Sequence, residues 1–128
     1  MKGDYLCPKC RHFLNVGENV VFHAKASHRR EGLIILHPQV GNYQVVKHPS
    51  FEYEMGEKVE FYCPYCNIKL TSERNDNLVK ILMVDEKRQE YELLFSRIAG
   101  EKSTYVIMNS TMETFGQDSG KYLDTLKK

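Results

Sequence analysis

The chain has 128 residues, 41% of them hydrophobic, which suits one domain with its own core and is too apolar for intrinsic disorder. Eighteen Lys and Arg stand against seventeen Asp and Glu, a formal charge of +1, which excludes a basic nucleic-acid arm and an acidic tail. No apolar run reaches the ~18 residues of a transmembrane helix, and the stretch from Met1 to Cys7 lacks the apolar core of a secretory signal, so a cytoplasmic protein is expected.

Three Ala against ten Val, eight Tyr and six Phe favour strands over helices. In chain order, Cys7-Pro8-Lys9-Cys10 is a tight turn, and Asn19 to His23 (NVVFH) is the first strand candidate. A basic cluster follows, Lys25-Ala26-Ser27-His28-Arg29-Arg30. It reads as a solvated hairpin loop, with Lys25, His28, Arg29 and Arg30 as candidate phosphate contacts. Leu33 to His37 and Asn42 to Lys47 are further strands, each ended by His-Pro because the residue before proline is held extended. Tyr43, Phe51 and Tyr53 form an aromatic stretch that serves either packing or contact with a protein partner. Lys58 to Cys63 follows a turn at Gly56 and runs into Cys63-Pro64-Tyr65-Cys66. Leu78 to Val84 and Ser103 to Met108 are strong strand candidates. Between them, residues 85–98 carry both helical and alternating spacing; strand is preferred because hairpins are the cheapest connection between neighbouring strands. A short helix is expected over 118–128, capped by Asp118 or Ser119, with Tyr122, Leu123 and Leu126 docked and Lys127 and Lys128 at its negative end. The fold expected is mainly β, one domain over 1–128, with knuckles at 7–10 and 63–66 and a β-meander extension over 78–108.

All four cysteines fall in two C-x₂-C pairs separated by 52 residues. A two-residue spacer brings both sulfurs of a tight turn to one metal at about 2.3 Å, so the expected site is tetrahedral, with Cys7, Cys10, Cys63 and Cys66 as ligands of a structural Zn²⁺. Iron in the same ligand set, a redox dithiol and two structural disulfides are the alternatives. Asn67, just after the second pair, suits the left-handed backbone such turns need; Arg11, after the first, suits it less.

With these pairs the chain resembles zinc-ribbon-like proteins with paired CPxC knuckles, among them the bacterial CpXC group. The resemblance rests on CPKC and CPYC alone; neither pair is followed by the Gly usual in ribbons, and the gap is longer. The long gap is similar to that of β-tent domains (Yippee, the cereblon ligand-binding domain, methionine sulfoxide reductase B), and Gly32, Leu36, Asn42 and Gly56 lie at intervals like the Yippee pattern. Either resemblance implies antiparallel sheets joined at the metal. The chain has no Trp, so the tryptophan cage of cereblon-like domains has no counterpart.

Four thiolates leave a metal no open position for substrate, and no cysteine remains for a reductase. The chain contains no G-x-S-x-G, H-E-x-x-H or P-loop. A second, catalytic metal site would need His23, His37 and His48 to converge, with His12 beside the first knuckle as a spare ligand. The expected role is a non-enzymatic interaction or regulatory module with a protein partner. Nucleic-acid binding through the 25–30 loop and a histidine-based enzyme are the alternatives.

Overall fold

The computed structural model describes residues 3–27 and 30–126. Its strands are β1 (Asp4–Leu6), β2 (Asn15–Val16), β3 (Asn19–Lys25), β4 (Glu31–Leu36), β5 (Val45–Lys47), β6 (Glu60–Tyr62), β7 (Leu78–Val84), β8 (Glu90–Ser96), β9 (Thr104–Met108) and β10 (Thr111–Phe115). They form two antiparallel sheets, in keeping with the strand-rich composition and with the sheets that either resemblance implies. In the first sheet β4 and β5 flank β3 on one side, while β2 and β6 share its other edge. The second runs β1-β7-β8-β9-β10. Residues 85–98 are a hairpin turn and a strand, not a helix. The two His-Pro steps follow directly on the last residues of β4 and β5.

The strands that lead into the knuckles are exchanged between the sheets. β1, ahead of the first knuckle, pairs with β7, with Tyr5 opposite Met83 and Leu6 opposite Leu82. β6, ahead of the second, pairs with β3, with Phe61 opposite Ala24 and Tyr62 opposite His23. The two halves therefore follow one plan. The segment Tyr5 to Leu14 (YLCPKCRHFL) repeats as Phe61 to Leu70 (FYCPYCNIKL), with the aromatic, Cys, Pro, Cys and Leu positions in common. The Leu14 carbonyl accepts from Val21 N and the Leu70 carbonyl from Lys80 N, so the exit of the first knuckle is tied to β3 and that of the second to β7.

Period-two patterning turns Val20, Phe22 and Ala24 of β3 and Val79, Ile81 and Met83 of β7 toward one shared core. The outer face of the second sheet has its own cover. A single 3₁₀ turn (Ser119–Tyr122) leads into a one-turn helix α1 (Leu123–Leu126), and Tyr122 and Leu126 pack on Leu78, Leu94 and Tyr105. The expected helix is thus present but short. Asp118 does not cap it: its Oδ2 accepts the backbone N–H of Lys102 at 2.9 Å instead. Lys127 and Lys128 lie outside the described residues. The matching outer face of the first sheet, a cross-strand row of Val21, Ile35 and Val46 beside Leu33, has no such cover among the described residues. No helix of the described residues is long and apolar enough to cross a membrane.

Candidate metal centre

Each knuckle closes on itself in the same way. Cys7 N donates to the His12 carbonyl and Arg11 N to the Cys7 carbonyl; Cys63 N donates to the Ile68 carbonyl and Asn67 N to the Cys63 carbonyl. The residue after each second cysteine takes the left-handed conformation, Arg11 at φ 60° and Asn67 at φ 62°. The sequence favoured this only at Asn67. Arg11 adopts it as well, and its guanidinium makes two 3.0 Å hydrogen bonds to Glu90 on β8. Lys9 N and Cys10 N point at Cys7 Sγ (3.4 and 3.5 Å), and Tyr65 N and Cys66 N point at Cys63 Sγ (3.4 and 3.5 Å). Such amide dipoles favour thiolate over thiol.

Strand exchange brings the knuckles together. The four sulfurs lie within 4.8 Å of one another, with the close pairs crossing between knuckles: Cys7 to Cys66 and Cys10 to Cys63, each 3.7 Å. A tetrahedron with ~2.3 Å zinc–sulfur arms has edges of about 3.8 Å, so the sulfurs stand at metal-ligating separation. They are well beyond the ~2.05 Å of a disulfide, and all four are free cysteines. Cys7 and Cys63 are buried, Cys10 and Cys66 exposed. Burial pushes the Cys63 thiol up to about 12 and raises that of Cys7, while the Ile68 backbone N–H pulls Cys66 down to about 7. Two buried sulfurs that resist ionisation need a cation to become ligands. Across the cluster the His12 and Tyr65 rings stack at 3.5 Å between centroids, 14° apart in plane. Nothing in the sequence signalled this contact, because His12 and Tyr65 hold non-equivalent positions of the two knuckles.

The other candidate residues are engaged in packing or ion pairs. Arg30 is tied to the Glu57 carboxylate (3.1 Å) and to the Ser27 carbonyl (3.0 Å). Lys25 lies 3.9 Å from Glu31 and over the Tyr62 ring. His28 and Arg29 lie outside the described residues. Phe51 is buried against Gly32. The Tyr43 hydroxyl donates to the Phe115 carbonyl (3.1 Å) and sits 2.7 Å from Thr104 Oγ1. Tyr53 is half-buried on the Phe51 ring. Among the described residues the four cysteines are the one group of three or more metal-ligating side chains. His23 faces Glu31 and Tyr62, His37 accepts from Gln39 N, and His48 bonds Ser50, so these histidines do not gather.

The molecule is thus of the mainly β class, with two antiparallel sheets and a four-cysteine cluster able to hold a metal. No family model, curated protein sequence or solved structure matches the chain.

Proposed function

We propose that the chain is a structural-zinc module of β-tent-like type, in which one Zn²⁺ on Cys7, Cys10, Cys63 and Cys66 clasps the two sheets and the assembled surface contacts another protein. The observation that carries the metal site is the convergence of the four sulfurs within 4.8 Å of one another, with 3.7 Å in the two pairs that cross between the knuckles. Zinc suits an all-thiolate tetrahedral site with no open position, and such a site serves folding rather than substrate activation. Support for a protein partner comes from the first sheet's outer face, where Leu33 and Val46 are 56% and 61% exposed beside Val21 and Ile35. Nucleic acid is less favoured because Arg30 and Lys25 already face carboxylates. Metal bound as thiolate also makes the loaded chain more acidic than its +1 formal charge.

Elemental analysis of the purified chain tests the first part: one zinc per chain is expected, and a folded, metal-free chain would overturn it. For the second, capture by the zinc-loaded chain of one defined protein, lost in Val46→Asp with zinc content and melting unchanged, is expected. Salt-dependent binding of single-stranded RNA or DNA instead would favour the nucleic-acid alternative.

A further inference from the structure

Away from the metal, the inner faces of the two sheets line a half-open cavity of about 190 Å³. Its mouth lies between the segments that follow two equivalent strands, 37–43 after β4 and 97–104 after β8. Three phenylalanines from both sheets, Phe22, Phe61 and Phe95, line it and pack edge to face at 5.2–5.8 Å. Ile34, Leu36 and Leu93 extend the apolar lining. Protein interiors are normally packed with few voids larger than a water molecule. A void with apolar walls holds water poorly and leaves its lining without dispersion partners. A cavity of roughly 150 Å³ with aliphatic and aromatic walls takes up benzene, so this one accommodates a ring of that size with a small substituent.

The polar groups around it are unequal. Tyr43 and Thr104 satisfy one another and the Phe115 carbonyl. Ser103 Oγ, on the same lining, is buried without a partner, and Tyr53, half-buried there, makes no side-chain hydrogen bond to another described residue. Burial raises its pKa above the ordinary tyrosine value, so at neutral pH the hydroxyl stays protonated and is free to donate to a ligand.

We infer that the cavity between the sheets is a binding site for a small aromatic molecule, a single ring bearing one hydrogen-bond acceptor that reaches the Tyr53 hydroxyl. The site is independent of the proposed protein contact, which lies on the opposite face of the first sheet. Neither Tyr53 nor Leu36 belongs to the metal centre.

The zinc-loaded full chain, followed by amide NMR shifts during titration with benzene and with acetophenone, tests this. Saturable shifts are expected at Phe95, Thr104 and neighbouring amides for both probes. Leu36→Trp fills the cavity and should abolish both sets of shifts while zinc content and melting stay as in the parent. Tyr53→Phe should weaken acetophenone about three- to tenfold, the worth of one hydrogen bond, and leave benzene unchanged. The proposal fails if neither probe saturates at millimolar concentration, or if the shifts fall on Leu33 and Val46 of the outer face. It fails equally if Leu36→Trp binds as the parent does. Should Leu36→Trp not fold, the contrast between probes in Tyr53→Phe decides: an equal effect on benzene and acetophenone overturns the role of the hydroxyl as the acceptor's partner.

Discussion

At the scale of single residues, the knuckles depend on sulfur and on backbone handedness. Cys63 is buried, so Cys63→Ser should lose the metal and several kcal/mol with it. Metal analysis beside a thermal melt reads both, and a folded metal-free variant would contradict the structural role. Asn67 and Arg11 occupy left-handed backbone, where a β-carbon without a compensating polar group is strained. Asn67→Ala should therefore cost ~1 kcal/mol in urea unfolding of the zinc-loaded chain, and Asn67→Gly only a few tenths. Glu57 carries a pH signature. The Ser27 hydroxyl, then the Glu54 and Ser27 backbone N–H groups, and Arg30 hold its carboxyl at about 2, against an ordinary 4.5. A lowered folded-state value means stability that is fully present above about 4.5 and is lost as pH falls toward about 2. Melting temperatures of Glu57→Gln and the parent should converge over that window; a constant difference would show that the charge is immaterial. Only pH values at which both proteins still hold the metal enter the comparison, because its release would itself unfold them.

At the scale of elements, the C-terminal segment covers the second sheet. The Glu101 carboxylate, only 5% exposed, accepts from Ser96 Oγ at 2.8 Å, Lys121 Nζ at 3.0 Å and the Tyr122 hydroxyl. This lock holds Leu126 on the sheet. Leu126→Ala should lower stability by about 2 kcal/mol with zinc content unchanged, measured by denaturant unfolding and metal analysis. Much of this level was legible in the sequence. β3, β4, β7, β8 and β9 came from alternating or unbroken apolar runs, and the four ligands from their spacing. β1 and β2 are three and two residues long, too short to show a period. β10 reads TMETF, with Met112 and Phe115 half-buried among exposed Thr and Glu, so its pattern is weak without its partner β9. The partnership of β1 with β7 was invisible because nothing local in Asp4 to Leu6 specifies a strand some eighty residues away. The aromatic cavity was hidden for the same reason: Phe22, Phe61 and Phe95 meet only once both sheets are assembled.

At the scale of the whole molecule, neither sheet is made from one half of the chain. β1 completes the second sheet and β6 the first, and each strand leads directly into a cysteine pair. Withdrawing the metal therefore loosens both sheets at once. Chelation should produce one cooperative transition, with secondary-structure and aromatic circular dichroism changing together. Two separate transitions would mean that the sheets are energetically independent.

The exchanged strands also set the order of events during synthesis. Asp4 pairs with Val84 and Tyr5 with Met83, so β1 waits for some seventy residues of further synthesis, until β7 is made, before it has a partner. Until Cys66 emerges, the first knuckle has two of its four ligands and β3 lacks the neighbour β6 along one edge. Contacts this distant close slowly, and an open edge beside the apolar Val21–Ile35–Val46 row is the kind of surface on which nascent chains associate wrongly. The newborn chain is then exposed to aggregation from the first CPxC turn until β7–β9 follow the second, when the partner sheet and metal supply together end that exposure.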